Sequence, residues 1–252
     1  MIDHPPKVLF YIPAYEDKYT QILAHFKKNN KKTIFDVGCY RGNFTTNFME
    51  NEKKLGVESN FFLFDPNPNV KNYLKIILKN EKVKFFNLAL DNTNSKKTFY
   101  LNKFFEPSGS SLKKFNKEDK KWSGTRRLFF QLLQPFKKIE DFCEINVQTQ
   151  TLDNFCNLSN INSIDVLKID TEGNELNVLQ GAKNLLSEGK IKLIYVEISE
   201  SKNKFSLKEK TIIELLNSYN FQLMKKYQIR SFSFLSGLKA SDNLFINKSL
   251  TL

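Results

Sequence analysis

The sequence predicts an α/β protein: a mostly parallel central sheet, an antiparallel C-terminal strand pair, and helices on both faces. Three observations predict it. Compact β-branched and aromatic runs alternate with segments of helical spacing from residue 33 to residue 220, the pattern of strands joined by crossover helices. Several runs end on a glycine turn or an acid, at Gly38, Asp65, Asp91 and Asp170. Ligands in such sheets bind outside the carboxyl ends of the strands. The last two apolar runs, "FQLMKKYQI" and "DNLFINKS", read as the antiparallel pair.

The elements follow in order. Residues 15–30 read as a helix with Ile22, Leu23 and Phe26 apolar. "TIFDVG" (33–38) is a strand stopped by Gly. Residues 41–51 are helical, "FFLFDPNPN" (61–69) is a strand ended by Asp-Pro, and 70–80 has helical spacing. Strands follow at 82–90 and 163–170. Residues 174–189 form a helix with Leu176, Leu179, Ala182 and Leu185 on one stripe and Gly189 as its C-cap. A fifth strand spans 192–199 and a helix spans 207–220. Between 91 and 150, "KKTFYLN" and "EINVQTQTLD" are strand-like. They flank a basic, aromatic insert at 103–145, too long for a plain connection.

With 252 residues, 40% hydrophobic and 13% aromatic, the chain suits one folded domain over 1–252, with 1–32 as a helical N-terminal extension. No apolar stretch has membrane-spanning length and the N-terminus lacks a signal-peptide pattern, so a cytoplasmic protein is expected. Three widely spaced cysteines without C-x-x-C imply neither a disulfide framework nor a zinc site. The net charge of +12 admits nucleic acid, an anionic membrane surface or an acidic substrate. Lys, Asn, Ile and Phe are abundant along the whole chain, however, as an AT-rich genome would produce.

"FDVGCYRGNFT" (35–45) follows the first strand and opens a helix. Gly38 and Gly42 allow a tight turn and close backbone approach, and the helix start offers N–H groups and a positive dipole end. It is not the G-x-G-x-x-G of dinucleotide sites, and it suits the carboxylate of S-adenosylmethionine. Asp65, ending the second strand, is placed to accept from ribose hydroxyls. Asp91 or the backbone beside it is placed for the adenine edge. Cys39, inside the glycine motif, is expected only to pack.

"TIFDVGCYRGNFT", "FFLFDPNP", "NLALDN", "GSSL", "TLDNF", "IDVLKIDTEGNELNVLQGA" and "LIYVEIS" run in that order through residues 33–200. The chain thereby resembles FkbM-family S-adenosylmethionine-dependent methyltransferases. The resemblance implies a Rossmann-like methyltransferase acting on a hydroxyl of a sugar, polyketide or similar small acceptor. It maps the family's glycine motif onto Asp36, Gly38 and Gly42 and its second-strand acid onto Asp65. It maps the Lys-x-Asp-x-Glu-Gly-x-Glu block onto Lys168, Asp170, Glu172, Gly173 and Glu175. The donor site is therefore expected to use Asp36, Gly38, Tyr40, Gly42, Asp65, Asn67, Leu90 and Asp91. The insert is longer and more basic than the family pattern.

Methyl transfer to a hydroxyl needs the acceptor oxygen positioned and its proton removed. The histidines, His4 and His25, sit far from the strand ends in sequence. Asp170 is thus the expected base, with Lys168 on the same strand face tuning its charge and Glu172 orienting the acceptor. A metal version pairs Asp170 with Glu197 around Mg²⁺, which would acidify a bound hydroxyl. Glu175 also suits a plain first-turn position favoured by the helix dipole. The insert reads as an acceptor-site lid or, alternatively, as a surface piece in peripheral membrane contact. The expected partner is a small-molecule or glycan acceptor. An RNA methyltransferase is the first rival, although the Asn/Asp-Pro-Pro-aromatic sequence of amino-group methylators is missing. A non-catalytic interaction subunit on the same fold is the second.

Overall fold

A computed structural model describes residues 14–26, 31–102, 110–113, 142–229 and 238–250. Most of the 103–145 insert lies outside the described residues, as do residues 27–30 of the expected first helix. The elements are α1 (Ala14–Ala24), β1 (Lys32–Val37), α2 (Asn43–Leu55), β2 (Ser59–Phe64), α3 (Val70–Tyr73) and a 3₁₀ turn (Ile77–Lys79). Next come β3 (Val83–Phe86), β4 (Ala89–Leu90), β5 (Ser95–Asn102), β6 (Phe142–Gln150), α4 (Leu152–Leu158) and β7 (Ile164–Ile169). The chain continues with α5 (Glu175–Gln180), α6 (Lys183–Ser187), β8 (Ile191–Ser201), α7 (Lys202–Ser218), β9 (Phe221–Ile229) and β10 (Leu238–Asn247). A second 3₁₀ turn covers Lys248–Leu250.

The main sheet has seven strands in the order β3-β2-β1-β7-β8-β10-β9. β1 pairs in parallel with β2 and β7, and β8 with β7, while β10 runs antiparallel to β8 and β9. Both faces carry apolar layers. Phe35, Phe64, Leu167, Ile169 and Phe205 belong to one, and Ile22, Ile34, Phe48, Val166 and Leu193 to the other. Burial on both faces explains why apolar residues fall on both faces of β7, with Ile164, Val166, Leu167 and Ile169 all buried. The strand order reverses at β1: the chain runs outward through β2 and β3, then returns to β7 on β1's other edge. A sheet opens a crevice at such a switch point. Among the described residues, no helix is long and apolar enough to cross a membrane.

Four expectations are corrected. The helix expected over 70–80 is only α3 plus a 3₁₀ turn: Val70 and Leu74 are buried and Ile77 and Leu78 pack partly against the core, while Ile76 is 81% exposed. The helix expected over 174–189 breaks into α5 and α6 at Gly181, whose backbone is pressed so closely on Asp91 that a Cβ would lie 2.1 Å from the Asp91 carbonyl oxygen. The strand expected over 82–90 divides, and β4 leaves the main sheet to join β6 and β5 in a second, three-stranded one. The strand-like reading of 144–153 ends at Gln150, where Thr151 caps a helix by accepting a 3.2 Å hydrogen bond from the Asn154 N–H.

Candidate active site

The ends of β1 and β7 lie side by side. The Asp170 N–H donates to the Val37 carbonyl at 3.0 Å, and the Gly38 N–H donates to the Phe64 carbonyl on β2 at 2.9 Å. Gly38 has φ 73°, and a Cβ there would stand 1.7 Å from the Asp170 carbonyl oxygen, so only glycine fits. The turn then places Tyr40 in the left-handed region at φ 46°, which aims its N–H at Asp65 Oδ2, 3.1 Å away. Gly42, at φ 74°, opens α2.

These turns enclose a cavity of about 180 Å³. Gly38, Tyr40, Asp65 and Leu90 line it on one side, and Asp170 and Glu172 on another. Phe99 from the second sheet and Leu112 complete the wall. Asp65 Oδ1 accepts from the Asn67 N–H at 2.9 Å. Burial pushes the Asp65 carboxyl up to about 6, even though the Asn67 and Tyr40 N–H groups pull the other way.

Lys168, Asp36, Gly42, Asn67 and Asp91 are not among the residues that line the cavity. Lys168 donates to the Gly38 carbonyl at 2.8 Å and lies 3.0 Å from Asp36 Oδ1 and 3.6 Å from Asp170 Oδ2. Burial opposes its charge, but Asp36 and Asp170 outweigh burial and hold its ammonium protonated. Asp36 also accepts from Thr45 Oγ at 2.8 Å. Asp91 is fully buried, ion-paired with Lys97 and in contact with Asn174 Nδ2 at 3.3 Å. Leu90, not Asp91, therefore presents the end of β4 to the cavity.

The three acids after β7 have three separate surroundings. Asp170 keeps 34% of its side chain open. Its carboxyl is pushed up, first by desolvation and then by Glu175 and Asp36, with Lys168 opposing. Solvent in the cavity tempers that push. Glu172 sits at φ 52° and lines the cavity. Glu175 turns back onto the loop: its Oε1 accepts from Thr171 N at 3.2 Å, Thr171 Oγ at 3.1 Å and Gly173 N at 2.8 Å. It thus does more than occupy a first helical turn.

Glu197 adjoins Asp170, since Ile169 pairs with Val196 in register. Repulsion from Asp170, then burial and Asp242, pushes the Glu197 carboxyl up to about 10. Among the described residues, however, no group of three or more His, Cys, Asp or Glu side chains is arranged to hold a metal ion. The magnesium expectation therefore finds no support.

Several residues at the site carried no functional expectation. "GSSL" places Ser110 and Leu112 on the cavity wall, and Ser111 Oγ donates to the Thr171 carbonyl at 3.4 Å. Asn174 Nδ2 reaches the Leu90 carbonyl at 3.3 Å. The motif was visible in sequence, but its role was not.

Comparison with known proteins identifies the family and the fold. The family model described as the methyltransferase FkbM domain matches residues 36–223. The 2-O-methyltransferase NoeI of Sinorhizobium fredii (strain NBRC 101917 / NGR234) is 25% identical over 205 residues, 80% of this chain and 77% of that protein. Among solved structures, the methyltransferase FkbM from Methylobacillus flagellatus KT superposes with a TM-score of 0.52 at 12% identity. That match covers 93% of this chain and 50% of the other, so this chain spans half its length, and the likeness shows the fold.

Proposed function

The chain belongs to the FkbM methyltransferase family, and from that premise we propose that it is an S-adenosylmethionine-dependent O-methyltransferase. Its acceptor is a hydroxyl of a carbohydrate or another small hydroxylated molecule. The observation that carries this reading is one cavity holding Asp65 at the end of β2 and Asp170 at the end of β7.

The residues fit the donor. Gly38 lets the end of β1 lie directly against the Asp170 backbone, where a Cβ would collide, and its own backbone lines the cavity. Asp65 presents a carboxylate already oriented by two backbone N–H groups, and its remaining lone pairs suit ribose hydroxyls. Leu88 and Leu90 offer an apolar surface for a base. When bound, S-adenosylmethionine supplies an electrophilic methyl group on a sulfonium.

This chain's own residues handle the acceptor. Asp170 takes the proton from the acceptor hydroxyl as the oxygen attacks. Lys168, anchored on Asp36 and the Gly38 carbonyl, holds Asp170 in place. Glu172 orients the acceptor at the cavity mouth. Ser110 and Leu112 border the cavity beside the acceptor side. The 2-O-methyltransferase relative supports oxygen as the methylated atom.

The test is transfer of a tritiated methyl group from S-adenosylmethionine to a panel of methyl hexopyranosides and oligosaccharides. Label on a sugar hydroxyl, mapped by mass spectrometry, supports the reading. Label only on RNA or protein overturns the acceptor class.

A further inference from the structure

Helix α1 lies outside the residues matched by the family model, yet it sends a lysine into the protein. Lys18 is only 5% exposed. Its Nζ donates to Tyr195 Oη at 3.1 Å and stands 4.7 Å from the centre of the Tyr195 ring. Tyr195 Oη in turn donates to Asp242 Oδ2. Asp242 comes from β10, also beyond the matched residues, and its other oxygen is buried with no hydrogen-bond partner among the described residues.

Register carries this network to the cavity. Asp242 pairs with Glu197 across β10 and β8, and Glu197 adjoins Asp170, which lines the cavity. Near Lys18 and Lys168 lie the carboxyls of Asp36, Asp170, Glu197 and Asp242. The Lys168 ammonium is committed to Asp36, Asp170 and the Gly38 carbonyl. Lys18 is the second cation. The groups that act on its charge are Asp242, Lys168, Asp170 and Glu197, all of this cluster, with burial working against the ammonium.

A methyl donor of this class is cationic at sulfur, and its charge disperses as the methyl leaves. An excess of carboxylates would bind the ground state more than the transition state, which raises affinity and slows transfer. An ammonium placed behind the carboxyls offsets that excess.

We propose that Lys18 is a positioning residue for methyl transfer: held by Tyr195 and Asp242, it moderates the negative field that Asp170 and Asp242 present to the cationic donor. This rests on the reading of the cavity as an S-adenosylmethionine site.

The test needs no acceptor. S-adenosylhomocysteine is uncharged at sulfur, whereas sinefungin carries an ammonium where the methyl group would be. The ratio of their affinities for the full chain, measured by calorimetry, reads the field at that point. Lys18→Met should shift the ratio toward sinefungin by about fivefold, the size expected for one charge acting through a partly screened interior. Lys18→Arg should keep the wild-type ratio. Tyr195→Phe, which removes the link but keeps the ring, should shift it in the same direction, and it decides the matter if Lys18→Met does not fold. Equal weakening of both ligands, or an unchanged ratio, would make Lys18 structural and overturn the proposal alone. Failure of the wild type to bind either ligand overturns the donor reading and this proposal with it.

Discussion

Lys208 Nζ lies 2.6 Å from Glu175 Oε2, joining helix α7 to the loop that follows β7. The same ammonium donates to the Ser199 carbonyl at 3.0 Å. With Oε1 taking three donors from the loop, Glu175 has its charge fully answered. The crowding of acids in "DTEGNE" is thereby resolved. Glu175 braces the turn, so that Asp170 and Glu172 face the cavity.

Lys208→Met should lower stability by about 3 kcal/mol, because it strands a buried carboxylate. Glu175 is 1% and Lys208 12% exposed at the side chain, so little water reaches the pair. Urea unfolding checks this. A midpoint equal to the wild type's would show that the pair contributes nothing net.

Gly38→Ala should abolish binding of S-adenosylhomocysteine. Its Cβ would collide with the Asp170 carbonyl, and its φ lies where side chains are strained. Calorimetry on soluble protein measures this. An alanine variant binding as tightly as the wild type would contradict the close approach of β1 to β7.

Donor affinity should depend on pH through Asp65. Its folded-state carboxyl titrates at about 6, above the unfolded value. The ionised form accepts from ribose hydroxyls, so affinity should fall as pH drops through 6, about tenfold by pH 5. The sign for stability is opposite. The Asp65 contribution favours the fold at low pH and is lost as pH rises through 6. S-adenosylhomocysteine titrations at several pH values, repeated with Asp65→Asn, isolate the effect. An equally steep profile in the variant would assign it to another group.

Asp170→Asn should abolish methyl transfer while leaving donor affinity within about tenfold, roughly 1.4 kcal/mol. The partly open side chain makes this substitution compatible with folding. Single-turnover transfer measured beside S-adenosylhomocysteine binding separates the two. Turnover at the wild-type rate would remove Asp170 as the base.

Local pattern carried the strands. β1 and β7 lie within a residue of their sequence-based bounds because apolar runs and sharp stops are local signals. The breaks at residues 70–80 and at Gly181 depend on which side chains find a partner and on contact with Asp91, which no local pattern records. The cavity-lining Gly38, Asp65 and Asp170 were legible because strand ends in this fold face the ligand. Lys18 and Lys208 were not. They are two among 39 basic residues, and their partners lie 177 and 33 positions away. The strand-end position of Asp91 was visible in the sequence, but its pairing with Lys97 was not.

The most direct measurement is calorimetric titration of the full chain with S-adenosylhomocysteine at neutral pH. Binding at one site with a dissociation constant of micromolar order, about −8 kcal/mol, is the expected result. No binding at roughly millimolar ligand, weaker than about −4 kcal/mol, would contradict the assignment of the cavity between Asp65 and Asp170 as the methyl-donor site.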